Sequence, residues 1–145
     1  MDDITKPTKI AHIAVAVKEL NEAVKFYQML GADISHREVV EDQGVNLAII
    51  QFGESRLELL EPLNESTPVG RFIAMRGEGM HHIAIEVNDI EEAIRNCKRD
   101  GYKLIDTSPR RGAENKLVAF VHPTSACGVL IELVQSTEIV KGQES

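Results

Sequence analysis

HIAVAVKELNEAVKFYQMLG, residues 12–31, and HIAIEVNDIEEAIRNCKRDG, residues 82–101, align without a gap at an offset of 70. His12/His82, Ile13/Ile83, Ala14/Ala84, Val17/Val87, Glu22/Glu92, Ala23/Ala93 and Gly31/Gly101 are identical pairs, and Leu20/Ile90 and Val24/Ile94 are similar ones. Self-similarity of this length makes the chain a tandem of two like modules. Each copy opens with the alternation of a half-buried strand. Ile13, Val15 and Val17 share one face and His12, Ala14 and Ala16 the other; Ile83, Ile85 and Val87 repeat the first set, with His82 and Ala84 opposite. The period then changes to that of a helix, with Leu20, Val24, Tyr27 and Leu30 in one copy and Ile90, Ile94 and Cys97 in the other. Gly31 and Gly101 stand where a left-handed residue ends a helix. Cys97 takes the place of Tyr27 on the packed face, which makes it a buried structural thiol.

Working outward, strand-rich segments follow each helix. Val45–Phe52 leads through a turn at Gly53-Glu54-Ser55 into Arg56–Leu60, and Lys116–His122 leads through Pro123 and Gly128 into Val129–Val134. Each module is therefore a βαβββ unit, and the chain is one α+β domain over 1–145. Module one covers about 9–62, a linker 63–78, and module two about 79–136. In the linker, Thr67-Pro68 is an N-cap followed by a first-turn proline, which predicts a short helix over Val69–Arg76. The tail from Thr137 to Ser145 is polar and is expected to fray.

Composition narrows the function. Apolar residues are 43% and charged residues 27%, as in ordinary globular proteins, and the net charge of -7 argues against nucleic acid as a partner. No apolar run approaches membrane-spanning length, the opening MDDITKPTKI has no signal-peptide pattern, and Cys97 and Cys127 form no CxxC motif. A soluble cytoplasmic protein with no membrane partner is the expectation.

Four residues draw attention through their place in the repeat. His12 and His82 are equivalents in the first strand of each module, and Glu58 and Glu132 are equivalents in the last. Both glutamates interrupt apolar strands, RLELL and LIELV. A carboxylate taken out of water needs a strong partner, and a cation is one of the few that suffices. Two imidazoles and two carboxylates suit Zn, Ni, Co, Mn or Fe(II). His81 is expected to point to the opposite face from His82, while His36 and His122 read as loop or supporting groups. Arg110 and Arg111, near Lys116, read as a solvated loop, and as the first candidates for a phosphate-bearing ligand.

From about Lys9 to Gln135 the paired modules with His…Glu…His…Glu resemble the vicinal oxygen chelate superfamily, which includes glyoxalase I, extradiol dioxygenases, bleomycin-resistance proteins and methylmalonyl-CoA epimerases. The epimerase family is the one most resembled, through Asp42-Gln43-Gly44-Val45, GESRLELLEPLNESTP (53–68), GEGMHHIAIEV (77–87), Phe120-Val121-His122-Pro123 and GVLIELVQ (128–135). The resemblance implies an open, eight-stranded, barrel-like cleft with a divalent ion (Co, Zn, Ni, Mn or Mg) on His12, Glu58, His82 and Glu132. It implies an acyl-CoA substrate, a homodimer, and epimerisation of methylmalonyl-CoA by proton transfer through a metal-stabilised enediolate, with Glu132 as one catalytic acid or base. Some epimerases read Gln-Gly-Val-x-Glu and use that Glu as a second base. This chain has Leu47 there, and Glu58 becomes the candidate for the role. Three alternatives stay open at this point. They are glyoxalase I chemistry, an Fe(II) extradiol dioxygenase (which a fourth ligand disfavours), and a metal-free binding module (which a retained His/Glu repeat disfavours).

Overall fold

A computed structural model describes residues 6–135, so the polar tail expected to fray lies outside the described residues. By contacts the chain divides into two compact units: His12–His82 is one, and 83–135 with the lead 6–11 is the other. In chain order the elements are β1 (Pro7–Ala16), α1 (Leu20–Met29), β2 (Asp33–Val40), β3 (Val45–Phe52), β4 (Ser55–Pro62), α2 (Pro68–Arg76), β5 (Gly79–Val87), α3 (Ile90–Arg99), β6 (Arg110–Arg111), β7 (Leu117–Val121) and β8 (Ile131–Gln135). Each module has the expected βαβββ order.

In the first unit the strands run β2-β3-β4-β1. β1 lies parallel to β4, with Ile13 opposite Leu57 and Ala16 opposite Leu60, while β3 is antiparallel to both β4 and β2. One face of these strands packs under α1: Val17, Leu20, Val24, Ala48, Ile50 and Leu59 form a buried cluster joined by Val15, Tyr27 and Leu57. Removing each of these larger aliphatic side chains from water is worth about 1.5–3 kcal/mol. The opposite face is more enclosed than a half-buried strand would be. Ala14 and Ala16 are fully covered, on the face that Leu47, Ile49 and Leu60 share. Leu30, expected on the packed face of α1, is instead 58% exposed, since the helix ends at Met29 and Leu30 is already its C-cap.

The second unit repeats the plan with the order β5-β8-β7-β6. β5 and β8 are parallel, Ile83 opposite Ile131 and Val87 opposite Gln135, and β7 is antiparallel to β8. Val87, Ile90, Ile94, Ala119, Val121 and Leu133 form the core beneath α3; Cys97 packs against it as the repeat predicts but is partly buried and not fully enclosed. The equivalent of β2 shrinks to two residues. Pro109 lacks an N–H for a longer ladder, and Asp106 supplies a carboxylate oxygen to the Phe120 N–H at 2.8 Å where another strand's carbonyl would otherwise serve.

Helix ends show how local sequence and long-range contact share the work. Gly31 and Gly101 have φ of +91° and +82°, the left-handed conformation expected of them. Thr67 caps α2 by accepting the Gly70 N–H at 3.0 Å, with Pro68 in the first turn. α1 has no cap from its own N-cap residue. Its Leu20 N–H goes instead to the Glu61 carboxylate at the end of β4, at 3.0 Å. Ile90 of α3 does the same with the Gln135 side-chain oxygen at the end of β8, at 2.9 Å.

Candidate functional site

Strand register decides which side chains share a face. Ala14 lies opposite Glu58, and Glu58 opposite Ile49, so the side of β1 that carries His12 is the side of β4 that carries Glu58 and of β3 that carries Leu47 and Ile49. One strand further out, Glu38 and His36 lie opposite Leu47 and Ile49 and fall on this same face. In the second unit, Ala84 lies opposite Glu132, Glu132 opposite Phe120, and Arg110 opposite Val118, which again makes one face. The period of two that hid the helices' packing surface thus gathers the polar residues on the other side.

His12, Glu58, His82 and Glu132 are each buried, with 4–7% of their surface exposed. The His12 and His82 Nε2 atoms are 3.4 Å apart, with the rings edge to face. His12 and His82, in the first unit, thus offer two ring nitrogens at the spacing of ligands to one ion, and Glu132 is the buried carboxylate that the second unit carries on the face of Ala84. Glu58 stands elsewhere on the same residues: its carboxylate is 3.3 Å from His12 Nδ1, the ring nitrogen that does not face His82. A carboxylate at the far nitrogen of a histidine fixes the ring's orientation and tautomer, a common support for a metal-ligating imidazole.

The donor chemistry fits a divalent ion. Two nitrogens each about 2.1 Å from one ion and held at a tetrahedral angle are about 3.4 Å apart, which is the separation seen between His12 and His82. Buried glutamates such as Glu58 and Glu132 are also costly unless a cation or hydrogen-bond donor offsets their charge. Leu47, fully buried beside Leu60, makes this part of the face apolar.

The remaining sequence candidates sort themselves. His81 does not simply turn away from His82: its Nδ1 reaches the His82 Nδ1 at 2.9 Å while its ring meets Phe72 of α2 edge-on at 4.9 Å. The two histidine rings meet edge to face, with centroids 5.1 Å apart. His36 lies in β2 and not in a loop, 2.8 Å from Glu38. His122 is a turn residue, its Nδ1 accepting the Thr124 N–H at 3.1 Å. Arg110 is held by Asp106 at 3.0 Å, Arg111 donates to the Asn115 carbonyl at 2.6 Å, and Lys116 pairs with Glu114 at 3.2 Å. Sequence reasoning missed the Glu58–His12 contact, the His36–Glu38 pair and the Asp106 clasp. The last two had local signals, a histidine and a glutamate two apart in a strand and an acid four residues ahead of an arginine.

Known proteins place the chain. The model of the Glyoxalase/Bleomycin resistance protein/Dioxygenase superfamily matches residues 11–120. An uncharacterized protein of Bacillus subtilis, YqjC, is 41% identical over 88% of this chain and 91% of its own length. The mitochondrial methylmalonyl-CoA epimerase of Homo sapiens is 35% identical over 88% of this chain and 74% of its own. A solved methylmalonyl-CoA epimerase in complex with methylmalonyl-CoA and NH4+ is 37% identical, covers 92% of this chain and 98% of its own, and superposes with a TM-score of 0.88. The α+β fold of paired βαβββ modules expected from the repeat is the fold of these relatives. The chain belongs to the glyoxalase/bleomycin resistance protein/dioxygenase superfamily and, within it, to the methylmalonyl-CoA epimerase family.

Proposed function

We propose that this protein is a metal-dependent epimerase that interconverts the two epimers of methylmalonyl-CoA by moving one proton off and onto the α-carbon. The observation that carries this reading is the buried pair His12 and His82, their Nε2 atoms 3.4 Å apart, with Glu58 on His12, in a chain similar to epimerases along most of its length. His12, His82 and Glu132 are the core of the donor set, and Glu58, the second carboxylate, is its fourth donor. Bound there, a divalent ion (Co, Zn, Ni, Mn or Mg) supplies Lewis-acid stabilisation for negative charge that develops on the thioester oxygen.

The chain's own residues do the rest. The α-carbon lies between a thioester and a carboxylate, so its proton is acidic, though too weakly for water to remove at neutral pH. Glu132 and Glu58, equivalent by the repeat, take the two faces of that carbon. One carboxylate accepts the proton as the C–H pair moves into the thioester carbonyl; the other carboxyl group returns a proton to the opposite face as the pair moves back. No electron is gained or lost. Leu47, Ile49 and Leu60 line this face of the first unit with apolar side chains, which raises the worth of each charge–charge contact by keeping water out. His81, at the δ nitrogen of His82, leaves the Nε2 side of that ring for ligation. The homodimer expected from the family is part of this proposal, and analytical ultracentrifugation checks it.

The decisive experiment is a proton NMR spectrum of methylmalonyl-CoA in D2O with protein and metal. The α-proton signal should disappear with time. A signal that persists after reconstitution with each of the candidate ions overturns the reading, and turnover of the glutathione hemithioacetal in its place would identify glyoxalase chemistry.

A further inference from the structure

The side of β1 that faces away from His12 borders a groove of its own. Strand alternation puts Val15 and Val17 on the side of α1 and His12 on the other. α1 packs mainly over β2, β3 and β4, so it roofs β1 incompletely, and Val15, Ala23 and Tyr27 stay only partly buried. The space left there measures about 590 Å³, the size of a small-molecule site. All its lining residues fall within the unit His12–His82, and none of them is assigned to the metal or to proton transfer.

The lining has two chemistries. Val15, Val17 and Ala23 give it an apolar floor, and Phe26, 54% exposed, adds a ring set edge to face on Tyr27 with centroids 5.0 Å apart. Its charged groups are the carboxylates of Glu19, Glu22 and Glu78 against one ammonium, Lys18, all of them exposed. Glu78 is positioned by the Lys18 N–H, which donates to its Oε2 at 2.7 Å, and its other oxygen has no partner among the described residues. Glu22 meets Lys25 at 3.2 Å, an exposed pair that is easily exchanged for another cation. The Lys18 ammonium is on a long stem that can carry it out into water.

This combination selects a class of ligand. A metal ion needs several donors converging on one point, which an apolar floor does not offer. An anion such as an acyl-CoA meets an excess of carboxylates. A hydrocarbon body with a positive head suits both parts: the body covers Val15, Val17 and Ala23, and the head finds the carboxylates and the Phe26 ring, whose face attracts cations.

We propose that this groove binds an amphiphilic organic amine, at a site separate from the one that turns over substrate. Phenylbutylammonium, phenylbutanol and phenylbutyrate share one apolar body and differ in charge, and each is titrated into metal-loaded, isotope-labelled protein while amide chemical shifts are followed. The amine should move the signals of Val15–Glu22 and Gly79. The alcohol should bind about 3- to 10-fold more weakly, the worth of exposed charge contacts, and the carboxylate more weakly still. Glu78→Gln keeps an oxygen for the Lys18 N–H while removing a charge; it should weaken the amine about 2- to 5-fold and leave the alcohol unchanged. Phe26→Ala, at an exposed position, should weaken the amine about 5- to 30-fold through lost ring contact. An amine that binds no more tightly than the alcohol, or that shifts signals elsewhere, overturns the proposal. So does a protein that binds none of the compounds, the result expected if a second copy of the chain already covers the groove. The comparison of charges is made on wild-type protein and does not depend on either variant folding.

Discussion

Glu58 touches His12 at 3.3 Å and is assigned as both donor and base, so one substitution tests both roles. Glu58→Gln keeps an oxygen for ligation and for the His12 N–H but cannot accept a proton. Metal content should hold while the rate falls about 10²–10⁴-fold, the usual worth of a positioned general base; near-normal turnover with metal retained would move the second base elsewhere. His82→Ala should lose both metal and activity, measured by metal analysis alongside the rate. The two cysteines give a check unrelated to catalysis. Burial, with a smaller contribution from the Asp100 charge, pushes the Cys97 thiol up, whereas Cys127 is exposed. A raised thiol pKa leaves less thiolate at mildly alkaline pH, so iodoacetamide at pH 8 should label Cys127 first, and peptide mass mapping should find Cys97 labelled more slowly than Cys127 until denaturant is added.

Elements were legible wherever the signal was short-range. The alternation of residues 12–17, the turn glycines at 31 and 101 and the Thr67-Pro68 start each depend on near neighbours, and each element forms where expected. What escaped depends on distant ones. Nothing around Leu20 or Ile90 shows that Glu61 or Gln135, 41 and 45 residues away, meets the helix start, and burial at both ends of the contact is a property of the folded state. The shortness of β6 escaped for the same reason, because Asp106 takes the Phe120 N–H from outside the ladder. Gln135→Leu should therefore destabilise by about 1–3 kcal/mol, since it leaves the buried Ile90 N–H without its acceptor; urea denaturation gives the number. In α2, a Cβ at Gly70 would stand 2.4 Å from the Asn64 carbonyl oxygen. Gly70→Ala should cost more than Gln135→Leu, despite alanine's better helix propensity, because the obstruction is backbone.

For the molecule as a whole, the repeat announced both the architecture and the four polar positions, because duplication marks a pair of ligands as it marks a pair of strands. It did not say that Glu58 would lie against His12 Nδ1 while the His12 and His82 Nε2 atoms draw together. Orientation about a ring is settled by side-chain packing, which the repeat does not encode. His12 and His82 are the first and last residues of one compact unit, and their nitrogens nearly meet. An ion shared by the two would behave as a reversible crosslink that ties the chain into a ring of about 70 residues. Polymer statistics for a loop that size give a loss of disorder in the unfolded chain equivalent to about 4 kcal/mol, in the range of a disulfide. The ion would then act as a staple as well as a reagent: chelation should lower the melting temperature of wild-type protein while leaving His82→Ala nearly untouched. Cleavage of the exposed turn at Gly53-Glu54 should leave the two flanking segments joined in the presence of the ion and easily parted in its absence.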